Sequence, residues 1–386
     1  MRIALVHDYL TQRGGAERVF ELLCRHFPEA DIFTSLYDPQ RTIELGERLV
    51  KTTFLQNIPG ATKYFRLMAP FYYPVFRLLD LQTYDLIISS STSFAKAVRT
   101  RPDAKHICFC HNITRFLWDT QTYLREYADY QKLYPFIEKV FRAMRKVDKA
   151  YAQEPDLYIA NSTIVAHRIK NTYGRKALVI NYPIDSGKFS FSDQKENFYL
   201  VSSRLMSYKR IDITIKAFNQ LGEPLIIIGD GPEREALEAI AAPNVQFLGY
   251  VPDEARQDLM SRARAVIVTG LEDYGLVPIE ANASGTPVIA FGGGGVLDTQ
   301  IQDQTAILFR EQTVDGLVEA VKKFQSASWN YKEIHRYATQ NFSEDVFFNK
   351  VDNVIERVCG GQPLESFFGR VSGKIGHLDN QAAING

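Results

Sequence analysis

A chain of 386 residues with 45% hydrophobic composition carries enough apolar side chain for two cores, which excludes a disordered chain or a small stapled scaffold. Lys plus Arg number 45, as do Asp plus Glu, so the positive excess of a nucleic-acid binder is absent. The balance hides an asymmetry: residues 1–183 hold 26 basic against 18 acidic side chains (+8), and residues 184–386 hold 19 against 27 (−8).

The first ten residues, MRIALVHDYL, form an apolar run cut by His7 and Asp8 before it reaches the length of a signal-peptide core, and no stretch approaches a membrane span. A soluble cytoplasmic protein is expected. Short β-branched runs then alternate with amphipathic stretches, the pattern of parallel sheets covered by helices. The first half predicts strands at Ile3–His7, Asp31–Ser35, Asp85–Ser90, His106–His111, Leu157–Ser162 and Leu178–Asn181. Cys108 and Cys110 share one face of such a strand, and no second ligand pair at zinc spacing exists, so no metal is expected there.

Residues 132–149 carry Lys132, Lys139, Arg142, Arg145, Lys146 and Lys149 against Glu138 and Asp148, interleaved with Phe136, Ile137, Val140, Phe141 and Met144. The pattern is that of a basic amphipathic helix, suited to an anionic membrane or, equally, to a core-facing helix with a solvated basic face. The aromatic-rich YFRLMAPFYYPVF at 64–76 adds to the membrane reading.

Residues 181–193, NYPIDSGKFSFSD, hold no helical or strand period and read as an interdomain linker. An N-terminal domain over 1–183 and a C-terminal one over 184–342 follow. The second half predicts strands at Tyr199–Ser203, Leu225–Gly229, Val245–Leu248, Ala265–Thr269, Pro287–Phe291 and Ile307–Phe309. A last helix, Ser343–Val358, starts at an N-cap serine followed by two acids; residues 343–360 are expected to pack back on the N-terminal domain, and 361–386 to form a mobile tail.

Ligands of open parallel sheets bind beyond the carboxyl ends of the strands. Arg204 and Lys209, five residues apart just after a buried strand, suit a diphosphate there, although a solvated basic loop has the same look. In LEDYGLVPIEA, Gly275 opens a helix whose free N–H groups suit an anion. Glu272 and Glu280 flank that start, enclosed by glycine, Tyr274 and apolar residues; two ordinary surface acids are the alternative. Gly14 and Gly15 open another helix in the first half. The run Gly229-Asp-Gly231 lacks the third glycine of a dinucleotide fingerprint, since Arg234 takes its place.

The segments SRLMSYKRID, GDGPERE, Glu272 and Glu280 at their eight-residue spacing, and GTPVIA, in this order, resemble the retaining glycosyltransferases of family 4 over essentially the whole chain. The resemblance implies the α/β GT-B fold: two Rossmann-like doubly wound parallel-sheet domains facing a cleft. It implies that Arg204 and Lys209 neutralise the donor diphosphate and that Glu280 holds the ribose. Glu272 with the Gly275, Leu276 and Val277 amides would hold the sugar and distal phosphate, with Tyr274 alongside, while Tyr250 and Val251 frame the base. Gly14 and Gly15 would meet the diphosphate from the other domain, His111 would stand beside the donor sugar, and Asp8 and Tyr9 would lie on the acceptor side. Glu272, His111, Arg204 and Lys209 form the catalytic set, as positioning and charge-stabilising groups without a nucleophile.

Tyr274 and Asp298 depart from the Phe and Glu that many relatives carry. The implied activity moves a hexose, mannose from GDP-mannose first, to a glycan or lipid-linked acceptor in polysaccharide biosynthesis, with retention and with neither metal nor cofactor. A UDP-sugar transferase, a GT-B epimerase or phosphorylase, a Rossmann oxidoreductase and a non-catalytic sugar-nucleotide sensor are the alternatives.

Overall fold

The computed structural model describes residues 1–120 and 134–368. Lys132 and everything from 369 onward lie outside the described residues. The chain divides into two compact units: unit 1 holds Met1–Ile180 and the described residues from Phe348 on, and unit 2 holds Asn181–Phe347.

Unit 1 is a seven-stranded sheet of β1 (Ile3–His7), β2 (Asp31–Thr34), β3 (Val50–Thr52), β4 (Leu86–Ser91), β5 (Lys105–Cys110), β6 (Leu157–Ala160) and β7 (Ala177–Val179). The order is β3-β2-β1-β4-β5-β6-β7 and every pairing is parallel. All six residues of β4 are buried, as a strand covered on both faces requires. Covering it are α1 (Gly15–His26), α2 (Ala69–Arg77), α3 (Tyr134–Tyr151) and α4 (Thr163–Tyr173). Helix α4 starts at Ser162, whose hydroxyl accepts from the Val165 amide, and ends on left-handed Gly174.

Unit 2 repeats the plan with six parallel strands, β8 (Tyr199–Ser202), β9 (Leu225–Ile228), β10 (Val245–Gly249), β11 (Ala265–Val268), β12 (Val288–Phe291) and β13 (Ala306–Phe309), in the order β10-β9-β8-β11-β12-β13. Its principal helices are α5 (Ile211–Leu221), α6 (Asp253–Arg262), α7 (Leu276–Ala283), α8 (Val314–Ser326) and α9 (Tyr331–Phe342), with α10 (Glu344–Cys359) following. In both sheets the strand order reverses beside the first strand, so the switch points lie between β1 and β4 and between β8 and β11.

All twelve strands read from the sequence are present; β3 is the addition, a three-residue, half-buried edge strand. The segment after Ile180 is packed into unit 2, with the Ile184 amide on the Phe342 carbonyl and the Ser192 amide on the Ser284 carbonyl. From Phe348, α10 belongs to unit 1, where His26 stacks on Phe348 and pairs with Asp352 at 2.8 Å. Leu364–Phe368, read as mobile tail, instead form a turn that buries Phe367 beneath the Arg357 guanidinium, a cation over an aromatic face.

Helix α3 resolves one of the sequence ambiguities. Val140, Phe141, Met144 and Tyr151 pack on the core of unit 1, and Asp148 is fully buried as the counterion of Lys96, 2.7 Å away and 2% exposed. Tyr73, Thr114, Trp118 and Tyr173 also donate to the Asp148 carboxylate, so this buried pair has the hydrogen bonds that such a pair requires. The face of α3 carrying Val140, Phe141, Met144 and Tyr151 is therefore a core face, and Lys139, Arg142, Lys146 and Lys149 are exposed.

Candidate active site

At the switch point of unit 2, the buried strand β8 delivers the chain into the Ser203–Arg210 loop. Gly229 (φ +118°) lets the turn after β9 pass so close that a Cβ there would collide with the Ser203 carbonyl. The GDG run thus seats the basic loop instead of cradling a dinucleotide. Arg210 takes φ 52°, a region that favours glycine, and the Thr269 hydroxyl pins this bend through the Lys209 and Arg210 carbonyls, 3.0 and 2.9 Å away.

The result is a fixed ion pair: Lys209 Nζ lies 2.6 Å from Glu272 Oε1, both side chains 17% exposed. Burial disfavours the Lys209 ammonium, but the Glu272 carboxylate and Tyr208 more than offset it, so its pKa lies above the ordinary value. Arg204 is exposed and forms no ion pair among the described residues. Glu272 is held by its backbone, which bridges to Gly294 in the glycine run after β12; Gly294 is left-handed, and a Cβ there would strike the Glu272 carbonyl.

Three residues on, left-handed Gly275 opens α7 with no side chain capping it, so the helix start presents Leu276 and Val277 amides on a positive dipole end. Glu280 sits one turn into α7, 1% exposed, its Oε2 2.6 Å from Arg256 Nη1 on α6. Burial lowers and Glu280 raises the pKa of Arg256, and the carboxylate prevails. Tyr274 is buried, and its hydroxyl donates to the Tyr182 carbonyl at 2.5 Å. In the fold its hydroxyl anchors the loop that leads into α7. Tyr250 and Val251 follow edge strand β10, and the Tyr250 ring is 83% exposed.

Unit 1 assembles a second cluster at its own switch point. Parallel register sets His7 of β1 beside Ser90 of β4, with His7 Nδ1 3.0 Å from Ser90 Oγ. Ser90 Oγ in turn lies 2.7 Å from His111 Nε2, just beyond β5. Burial, with His7 adding to it, pushes the His111 imidazole down to about 3, so it is neutral at physiological pH. Glu17, in the first turn of α1, folds its carboxylate over Gly14, 3.9 Å from His7 and within hydrogen-bond reach of Gln12. Burial raises its pKa, but His7 and the hydrogen bonds lower it further, and the net shift is downward. The start of α1 at Gly14 and Gly15 thus already faces a carboxylate from its own chain.

Asp8 is used otherwise than expected. Its two oxygens accept from the amides of Thr92, Ser93, Phe94 and Ala95 and from the Thr92 hydroxyl, all at 2.5–2.8 Å. A carboxylate so saturated anchors the loop after β4 and has little capacity left for an acceptor. Tyr9 beside it packs on Phe65 and Tyr72.

Sequence reasoning missed Arg256, Thr269, Glu17, His7 and Ser90 as site residues. Only Glu17 carried a signal, an acid in the first helical turn; the others act through contacts distant in sequence.

Two doubly wound parallel sheets, with a cation–carboxylate pair and an uncapped helix start at the second switch point, define a Rossmann-like protein suited to a phosphorylated ligand. The family comparisons carry this further. The family model described as Glycosyltransferase Family 4 matches residues 13–188, and that of Glycosyl transferases group 1 matches 185–341. The fold is that of solved GT-B glycosyltransferases: Anabaena HepE, in a complex with UDP-glucose, superposes with a TM-score of 0.66 at 18% identity, over 92% of this chain and 100% of that one. The chain belongs to the group 1 glycosyltransferases of the GT-B fold.

Among curated relatives, a glycogen synthase of Mycobacterium tuberculosis is 26% identical over 235 residues, 56% of this chain and 57% of that one. A GDP-mannose-dependent α-(1-6)-phosphatidylinositol monomannoside mannosyltransferase of the same species is 31% identical over 137 residues, 31% of this chain and 36% of that one. The chain spans about two-fifths to three-fifths of the length of the first curated relatives it matches.

Proposed function

We propose that this glycosyltransferase moves a hexose from a nucleoside diphosphate to a glycan or lipid-linked acceptor in polysaccharide biosynthesis, in the cytoplasm, with retention of configuration and without a metal. The observation that carries the reading is the Lys209–Glu272 pair beside the start of α7, with Arg204 exposed nearby in the same loop. A departing nucleoside diphosphate gathers negative charge, and fixed cations with helix-start amides stabilise that charge in place. On donor binding Lys209 turns part of its charge to phosphate, which frees Glu272 to accept from sugar hydroxyls. Glu280, paired with Arg256, accepts from the ribose, and Tyr250 with Val251 frames the base. Within unit 1, His111, neutral and held by Ser90, is the candidate sugar-binding group. The departing phosphate takes the acceptor proton, and no side chain is assigned as nucleophile.

GDP-mannose is the first choice of donor, supported by the mycobacterial relative named for it. A UDP-linked hexose is the second, supported by the UDP-glucose complex of HepE. Acceptor-dependent release of GDP from GDP-mannose, with proton NMR of the product, tests the reading. An inverted product overturns retention, and release from UDP-glucose alone overturns the donor.

A further inference from the structure

Six of the ten exposed large apolar side chains described in unit 1 fall in one segment of 25 residues, the others being Met1, Leu49, Val147 and Val179. Phe54, Ile58, Tyr64, Leu67, Phe71 and Leu78 are each at least 40% exposed. Soluble surfaces scatter such residues singly; a concentration of them within 25 residues marks an interaction site. The same segment is free of acids: from Phe54 to Leu78 the chain holds three cations and no Asp or Glu, and of the three Arg77 pairs with Glu154. Lys63 and Arg66 stand exposed among the apolar tips and form no ion pair among the described residues.

The arrangement is built, not a by-product of poor packing. Helix α2 buries Tyr72, Tyr73, Val75 and Phe76 in the core of unit 1, and the Tyr72 hydroxyl is satisfied by the Phe65 carbonyl at 2.7 Å. The opposite face, where a solvated helix would carry charges, presents Phe71, Pro74 and Leu78, with Leu67 one turn before. Helix α3 packs beside α2 through Tyr73 and Asp148 and contributes exposed Lys139, Arg142 and Lys146. The segment leaves the sheet at the carboxyl end of β3, and its Phe65 and Tyr72 rings pack on Tyr9, just past β1.

We propose that this face, from Phe54 to Leu78, docks unit 1 on an anionic phospholipid bilayer, with the apolar tips in the headgroup–acyl boundary and Lys63 and Arg66 on lipid phosphates. Charge complementarity selects this occupant. A second copy meeting the patch about a two-fold axis would set Lys63 and Arg66 against their own counterparts, with no acid in the segment to pair them. A bilayer offers apolar depth and negative charge together. The inference deepens the lipid-linked-acceptor reading but rests on unit 1 alone, and it stands or falls apart from the donor assignment.

Flotation of the full chain with vesicles of phosphatidylcholine, with and without phosphatidylglycerol, tests it. The chain floats with the anionic vesicles and not with phosphatidylcholine alone, and added salt releases it. Lys63→Glu with Arg66→Glu weakens binding at least about thirtyfold, from about fivefold for each cation lost, and Leu67→Glu with Phe71→Glu abolishes it. These surface variants keep the wild-type circular dichroism and GDP affinity, which separates loss of docking from failure of the fold or of the donor site. Failure of the wild type to float with anionic vesicles at low salt overturns the proposal. So does undiminished flotation of Leu67→Glu/Phe71→Glu, or a wild-type dimer that this variant dissociates.

Discussion

Lowering the pH from about 7 to about 5 is expected to destabilise unit 1 by about 2 kcal/mol for each of His106 and His111. Both are buried, and burial pushes both imidazoles down to about 3 from an unfolded value of 6.5, with Arg175 adding to it for His106 and His7 for His111. Between these limits the unfolded chain binds a proton that the native state refuses. A depressed histidine pKa therefore contributes no instability above about 6.5 and a growing one as pH falls toward 3. At about pH 5 the unfolded imidazole is almost wholly protonated and the native one almost wholly neutral, a difference of about 1.5 pH units, or about 2 kcal/mol. His106 isolates the effect: its Nε2 lies 2.8 Å from Ser89 Oγ, and its Nδ1 has no hydrogen-bond partner. The two tryptophans, Trp118 and Trp329, fall one in each unit, so Trp329→Phe leaves Trp118 to report on unit 1. Urea unfolding by Trp118 fluorescence at the two pH values, with and without His106→Asn, is the assay. The variant should show a pH dependence smaller by about 2 kcal/mol, and an unchanged dependence refutes the reasoning.

Replacing Lys209 or Arg204 with Ala should cut turnover more than about a hundredfold, about 3 kcal/mol of transition-state stabilisation; near-normal steady-state rates in both variants would contradict the phosphate role. Turnover should persist in excess EDTA, because the two cations and the α7 amides supply the charge a divalent ion would bring, and complete loss restored by magnesium or manganese would count against this. Arg256→Met removes the cation from a carboxylate that is 1% exposed, so unit 2 should lose about 3 kcal/mol of stability, read by Trp329 fluorescence in urea. An unchanged midpoint would mean that Glu280 does not depend on Arg256.

The sheets were legible because strands buried on both faces are continuous runs such as Leu225–Ile228, and those runs survive in sequence whatever surrounds them. Strand β3 was not, since Val50–Thr52 is short, half-buried and mostly polar. At the site, Arg204, Lys209, Glu272 and Glu280 were legible as charged residues at strand ends and a helix start. Their partners were not: Arg256 lies on a helix, DEARQDLMSR, with no apolar rhythm to mark which face turns inward. His7, Ser90 and His111 meet only because parallel register aligns β1 with β4. Asp8 had the look of a ligand-binding acid, but it is enclosed by backbone amides, which leave no trace in residue identity. The same blindness left the apolar stripe of α3 open between a membrane face and a core face; Asp148 and Met144 on that stripe are core residues.

Calorimetric titration of GDP, UDP and ADP into the wild type and Lys209→Ala tests most directly whether unit 2 grips a nucleoside diphosphate through its switch-point loop. Saturable binding with GDP tightest, weakened at least about tenfold in Lys209→Ala, about 1.4 kcal/mol, is the predicted result. Absence of binding by all three nucleotides, or equal affinity in the variant, would contradict the account.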